Sequence, residues 1–179
     1  MRRLILLALL CAGLTAGVSA RAQDAAAELM AAYLYNFTRF VEWPAAQFPT
    51  PQTPLVVCTP DAEALDGQLL RMHGRLAQNR RVAVRQVEAG EALADCQVLF
   101  LPVSHAGVLR DWLAAAEGRP LLTVSNVPGF TAQGGMVGLY VQADRVQFDI
   151  QRERTQAAGL RVSSRLLALA RRVIDGERP

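Results

Sequence analysis

The residues able to do chemistry are few, and their spacing argues against most catalysis. His73 and His105 are the two histidines. Neither has a His, Cys or Glu three or four positions away, the helical spacing that aims two ligands at one metal ion. Ser104 and His105 are neighbours in sequence, but adjacency alone does not make a catalytic dyad, and no G-x-S-x-G elbow holds a serine. Every basic residue is Arg. The lack of lysine excludes a P-loop lysine and a Schiff-base lysine. The glycine-rich stretch Gly129 to Gly138 lacks the strand, loop, helix order of a dinucleotide fingerprint and reads as a tight turn into a hairpin. The pairs Asp144 or Glu153 with Asp149 have no apolar setting that would tune an acid and a base. These residues imply no enzyme, no cofactor and no metal site.

The start of the chain sets the compartment. Met1-Arg2-Arg3, an apolar run from Leu4 to Val18 and the small residues near Ala20 and Ala22 have the layout of a secretory signal peptide. The run is shorter than the about 20 residues that span a membrane. Cys11 lies inside it behind Leu9 and Leu10, which makes a poor lipoprotein anchor. The expectation is a signal peptide over 1–22, removed on export, then one soluble domain over 23–179. Losing Arg2, Arg3 and Arg21 brings the 19 basic residues level with the 16 acidic ones. A neutral mature chain gives no electrostatic case for nucleic acid or for a membrane surface.

Cys58 and Cys96 remain after cleavage, and an oxidising compartment favours a disulfide between them. Its role is either structural or redox-sensing, in which case reduction would loosen the fold.

Helix and strand signals alternate along the chain. Asp24 caps a helix from Ala25 to about Trp43, stopped by Pro44. Pro54 to Cys58 reads as a strand, and Asp61 to Met72 as a helix. Strands are expected over Arg80 to Glu88, Gln97 to Val103 and Pro120 to Ser125, with a helix over Ala106 to Gly118. Gly135 to Val141 and Arg145 to Ile150 flank Gln142-Ala143-Asp144 as an antiparallel hairpin. A helix from about Gln151 is interrupted by Gly159. Ser163 or Ser164 starts a final helix through Ile174, on the spacing of Leu166, Leu167, Ala170, Val173 and Ile174. The fold class is α/β in a single domain: a mixed, mainly parallel sheet of about six strands flanked by helices, with a C-terminal antiparallel hairpin and helix.

The first helix crowds Tyr33, Tyr35, Phe37, Phe40 and Trp43 into one stretch. At 100° per residue, Met30, Leu34, Phe37 and Val41 share a core face, with Tyr33 and Phe40 beside it. Tyr35 and Arg39 lie opposite, where they can touch, and Trp43 and Asn36 fall on a flank. Surplus aromatics beside arginine have the composition of an interface core. Either a later segment covers them, or Tyr35, Arg39 and Trp43, with Phe130 in the glycine-rich loop, contact a partner. Asn36-Phe37-Thr38 matches a glycosylation sequon but sits within the helix.

Three segments in order carry a family resemblance: "AAYLYNFTRFVEWP", "LTVSNVPGFTAQGGMVGLYV" and "RVQFDIQRERTQAAGLRVSSRLLALA". Together, from about Ala25 to Ala170, they resemble the YfiR family of exported bacterial proteins. Two departures stand out. Gln151 replaces the usual Asn after the F-x-I of the last strand, and a second cysteine pair of some members is absent. The resemblance implies a mixed sheet flanked by helices, often as a homodimer. It implies a periplasmic repressor that binds the periplasmic domain of an inner-membrane receptor, a diguanylate cyclase in the first instance. Cyclic di-GMP and biofilm formation would then be held down, with no insertion into the membrane. The alternative function is a periplasmic small-ligand module serving a different envelope receptor. Its crevice would lie at the strand ends near Cys58, Val103 and Ser125. An envelope hydrolase is a third class, without a nucleophile motif to support it.

Overall fold

The computed structural model describes residues 24–143 and 145–176. The expected signal peptide lies outside the described residues. Helix α1 covers 24–40 and passes directly into strand β1, Val41–Glu42. Then follow β2 (Leu55–Thr59), β3 (Leu76–Ala77), β4 (Arg80–Gln86), β5 (Val98–Leu101), helix α2 (Leu109–Ala116) and β6 (Leu122–Ser125). The last third holds β7 (Val137–Gln142), β8 (Arg145–Gln151), α3 (Arg152–Ala157), β9 (Arg161–Val162), α4 (Ser164–Leu169) and β10 (Arg172–Ile174).

The main sheet has 8 strands in the order β10-β8-β7-β6-β5-β2-β4-β3. Its centre is parallel, from β4 through β2, β5 and β6 to β7. The β7–β8 hairpin and the β3–β4 pair are antiparallel, and β10 runs parallel to β8. Strands β2, β5 and β6 are buried at every position. That is what continuous apolar runs such as "LVVCT" and "VLFL" dictate, because parallel strands are covered on both faces.

Alternate residues then feed two cores. Leu55, Val57, Val98, Phe100, Leu122 and Val124 point toward α1, where Met30, Leu34, Phe37 and Val41 meet them. Val56, Cys58, Leu99 and Leu101 point the other way, toward Leu109 and Trp112 of α2 and toward Phe130. The helical face read from spacing is therefore the core face of α1. Phe37 stacks edge-on against Phe148 of β8 at 5.2 Å between centroids, and Tyr33 meets the same ring at 5.5 Å.

Four features differ from the sequence expectations, each for a local reason. Asp61 to Met72 is not an α-helix. Asp61 does accept the Glu63 N–H at 3.1 Å, but Leu65, Asp66 and Gly67 then sit at φ of 56°, 53° and 70°. Three successive left-handed residues cannot continue a right-handed helix, and only a 3₁₀ segment, Gln68–Met72, follows. The second difference is the β3–β4 hairpin, turned by Gln78 and Asn79 at φ of 51° and 61°, both positive as a type I′ turn requires. The Gln78 side chain donates to the carbonyls of Thr38 and Val41, both at 2.7 Å, and so closes the C-terminal end of α1. Third, α1 gives way at Val41, because Val41 and Glu42 pair with Val162 and Arg161. Fourth, the final helix breaks. Ser163 caps α4 as expected, its Oγ accepting the Leu166 N–H at 3.2 Å. Ala170 is extended, however, and Arg172–Ile174 joins the sheet beside β8. Strands β3 and β10 raise the main sheet from about six strands to eight, while β1 and β9 pair as a separate two-stranded sheet.

Candidate functional site

The surface end of α1 carries an alternating stack of guanidiniums and rings. The Arg75 guanidinium lies 3.7 Å from the Tyr35 ring centroid. Arg39, on the next turn of the helix, lies 5.9 Å from the Tyr35 ring and 5.4 Å from Phe40. Arg165 of α4 also reaches Phe40, at 5.9 Å from its ring centroid. Tyr35 is fixed by its hydroxyl, which donates to the Leu76 carbonyl at 2.6 Å. Arg39, Arg75 and Arg165 are exposed, and the two rings are half-buried. Among the described residues none of these three arginines has a carboxylate at ion-pair distance.

The other two residues expected at a contact lie inside the protein. Trp43 is 8% exposed, and its indole N–H donates to the Gln97 carbonyl at 2.9 Å. Phe130 is 1% exposed. Neither can be a surface contact in this conformation. Trp43 is covered because Gln97, 54 residues away in sequence and immediately before β5, accepts its indole N–H.

The burial of Phe130 explains the "GF…GGM" segment. A Cβ on Gly135 would stand 2.1 to 2.3 Å from three carbons of the Phe130 ring. Real Cβ atoms do not approach so closely, so the ring occupies the space a side chain at 135 would need. The expected tight turn into a hairpin is present, with its 3₁₀ segment over Phe130–Gln133 leading to β7.

Cys58 and Cys96 are joined in a disulfide, with Cα atoms 5.8 Å apart. Both are buried. The Arg85 guanidinium lies 3.3 Å from the Cys96 Sγ and 3.7 Å from the Cys58 Sγ, and pairs with Glu91 at 3.0 Å.

Ser104 Oγ lies 3.1 Å from His105 Nδ1 and 3.4 Å from Asp61 Oδ2. The carboxylate thus meets the serine and not the imidazole, which is not the order of a nucleophile, base and orienting acid. His73 Nδ1 accepts the Val84 N–H at 3.3 Å. Among the described residues no group of three His, Cys, Asp or Glu is placed to hold a metal ion.

Asp149, read from the sequence only as a member of acidic pairs without an apolar setting, is buried in the structure. It is 5% exposed, beneath Tyr140, Arg171 and Arg172. The Tyr140 hydroxyl donates to it at 2.7 Å, Arg172 at 2.7 Å and Arg171 at 3.2 Å. Burial pushes its carboxyl group up, but the hydrogen bonds from Arg171, Tyr140 and Arg172 together outweigh burial and hold it below the usual range. Burial and the bond to Asp149 push the Tyr140 hydroxyl up. This cluster ties β7, β8 and β10 together. It is an acid kept ionised, not one poised to deliver a proton.

A groove of about 790 Å³ opens between α2 and α3. Leu109, Leu113 and Met136 form its apolar part, and Arg110, Arg119 and Arg154 its cationic part, with Glu117 opposing them. Cys58, Val103 and Ser125, expected around a ligand crevice, do not line it.

The model of the family described as YfiR/HmsC-like matches residues 27–171. The chain belongs to the YfiR/HmsC-like family. No curated protein matches the chain. The matched region begins in α1 and ends at Arg171, so it takes in the aromatic helix, the Phe130–Gly135 packing and, of the partners of Asp149, Tyr140 and Arg171 but not Arg172. The family is known for periplasmic regulators of diguanylate cyclase signalling and is regulatory rather than catalytic. Among the described residues no helix is long and apolar enough to cross a membrane.

Proposed function

We propose that this YfiR/HmsC-like protein is exported to the periplasm and represses an inner-membrane diguanylate cyclase by binding its periplasmic sensory domain. The match over residues 27–171 is the observation that carries the reading. Export rests on the signal-peptide layout of residues 1–22. Binding alone is sufficient for repression. A protein that prefers the inactive receptor conformation shifts the receptor population toward it, and a tenfold shift takes about 1.4 kcal/mol of differential affinity. Tyr35 and Arg39 are the contact residues in this reading, with Trp43 holding the end of their helix from beneath.

Cyclic di-GMP measured in cells with the gene, without it, and with it restored tests the proposal. A rise on deletion, reversed on restoration, is expected. An unchanged level, with the protein shown to reach the periplasm, refutes it.

The groove between α2 and α3 favours a second reading, a small-ligand module that signals to a different receptor. Its volume lies within the roughly 300–1,000 Å³ of small-molecule sites. A ligand bound there raises the melting temperature with concentration as mass action demands. Loss of that shift on replacing Arg110 and Arg154 by Gln would place the ligand in this groove, and its persistence would exclude the groove.

A further inference from the structure

We infer that the Arg75–Tyr35–Arg39–Phe40–Arg165 stack is a docking surface for an acidic segment of the partner, with Leu76 as its apolar anchor. The inference rests on the repressor reading and names the chemistry of that contact.

Three observations carry it. First, the guanidiniums are held in place before any partner arrives. Each lies against a ring at 3.7 to 5.9 Å, and the Tyr35 hydroxyl is itself tied to the Leu76 carbonyl. Arginine normally loses much rotamer freedom on binding, so a pre-placed fork loses less per hydrogen bond formed. Second, the charge is unanswered. Among the described residues none of the three has a carboxylate at ion-pair distance, whereas nearby Arg161 is paired with Glu42 at 2.7 Å. Third, Leu76 is 61% exposed, beside the stack and on the edge strand β3. A partner offering carboxylates around an apolar residue complements this arrangement in charge and in shape.

The geometry also sets the mode of docking. Strand addition to the sheet edge is poorly served, because β3 has two residues and the Leu76 carbonyl is already engaged by Tyr35. Recognition is therefore through side chains. A lipid surface is less well matched, because the rings are half-buried beneath guanidiniums and cannot insert.

The test uses a fluorescein-labelled synthetic peptide of alternating Glu and Leu as the probe, with a Lys and Leu peptide as control. Wild-type protein is expected to bind the acidic peptide, more weakly as salt rises. The variant Arg39→Gln, Arg75→Gln, Arg165→Gln should bind it about tenfold more weakly, the summed effect of three exposed ion pairs. A second variant, Arg110→Gln, Arg119→Gln, Arg154→Gln, removes the same charge from the groove between α2 and α3 and should keep wild-type affinity. All six positions are exposed, and unchanged melting temperatures verify the folds. Equal weakening in both variants reduces the effect to bulk charge and overturns the inference. So does failure of the wild type to bind, or binding to phosphatidylglycerol vesicles in place of the peptide. The repressor reading fails separately, when wild-type protein leaves cyclic di-GMP unchanged in cells, whatever the peptide does.

Discussion

Replacing Gly135 by Ala adds one methyl group, and the structure places that methyl inside a ring. The new Cβ would stand 2.1 Å from one carbon of Phe130 and 2.3 Å from two others. Carbon atoms rest at about 3.5–4.0 Å, so the ring must retreat by about 1.5 Å or the backbone must give way. Phe130 has little room to retreat, being 1% exposed and packed in the core beneath α2. Overpacking a filled core costs about 1–3 kcal/mol. Expulsion of the ring approaches the about 3–5 kcal/mol of deleting a buried Phe. We expect Gly135→Ala to lose about 3 kcal/mol, an upper-range overpacking cost. That corresponds to a fall of very roughly 10 °C in Tm for a domain of this size. Gly138 provides the control. A Cβ there meets its nearest atom, in Thr131, at 3.6 Å, an ordinary contact. Gly138→Ala should be close to neutral or slightly stabilising, since alanine loses less backbone entropy than glycine on folding. Urea unfolding of both variants gives the comparison. A double variant, Gly135→Ala with Phe130→Leu, should cost less than the two single changes summed, because the smaller side chain vacates part of the contested space. Equal stability of Gly135→Ala and Gly138→Ala would refute the argument, and strict additivity in the double variant would place the clash elsewhere.

Trp43→Ala should cost about 3–5 kcal/mol, the range for deleting a buried large aromatic. Trp43→Phe should cost about 1 kcal/mol, one net hydrogen bond. The Gln97 carbonyl keeps the Leu122 N–H at 2.9 Å, so it is not left without a partner. Urea titration measures both, and wild-type stability in Trp43→Ala would contradict the interior placement. Asp149→Asn should lower stability at pH 7 by about 1.5–3 kcal/mol, the worth of hydrogen bonds to a charged group. Because the folded carboxyl group is held below its unfolded value near 3.8, wild type has this contribution in full above that value and loses it as pH falls through the folded one. Unfolding followed from pH 6 to pH 2 should therefore show the wild-type advantage over Asp149→Asn shrinking with acid, and a constant gap would count against the clamp. Replacing Cys58 and Cys96 together by Ser should cost at most about 4 kcal/mol, the chain-entropy value for a loop closed over a separation of 38. A variant as stable as wild type, measured in the absence of reductant, would contradict a stabilising bridge.

What the sequence made legible is what local spacing encodes, and what it hid depends on contacts between distant segments. Leu34, Phe37 and Val41 recur at the helical period, so the core face of α1 could be read directly. The two-faced burial of β2, β5 and β6 follows from their unbroken apolar runs. The same spacing misled at the end of the chain. Leu166, Ala170, Val173 and Ile174 fit one helix, but Arg171 and Arg172 bond to Asp149, Ala170 is extended and Arg172–Ile174 is a strand. Two charged pairings some 22 and 23 residues apart thus outweigh a helical pattern, and no periodicity records them. Trp43 lay on a flank of the helix in the spacing argument, and only its bond to Gln97 shows that the flank is covered. The contact surface shows both effects. Tyr35 and Arg39 were legible as neighbours four residues apart. Arg75 and Leu76 were not, because the hairpin that presents them turns on Gln78 and Asn79, residues without the glycine that usually marks such a turn. The aromatic crowding of the first helix thus divides by what lies opposite each ring. Phe37 faces the sheet, Trp43 faces the start of β5, and Tyr35 and Phe40 face arginines brought from elsewhere. That last pair leaves three unpaired cations at the surface among the described residues, and it is there that a partner has something to bind.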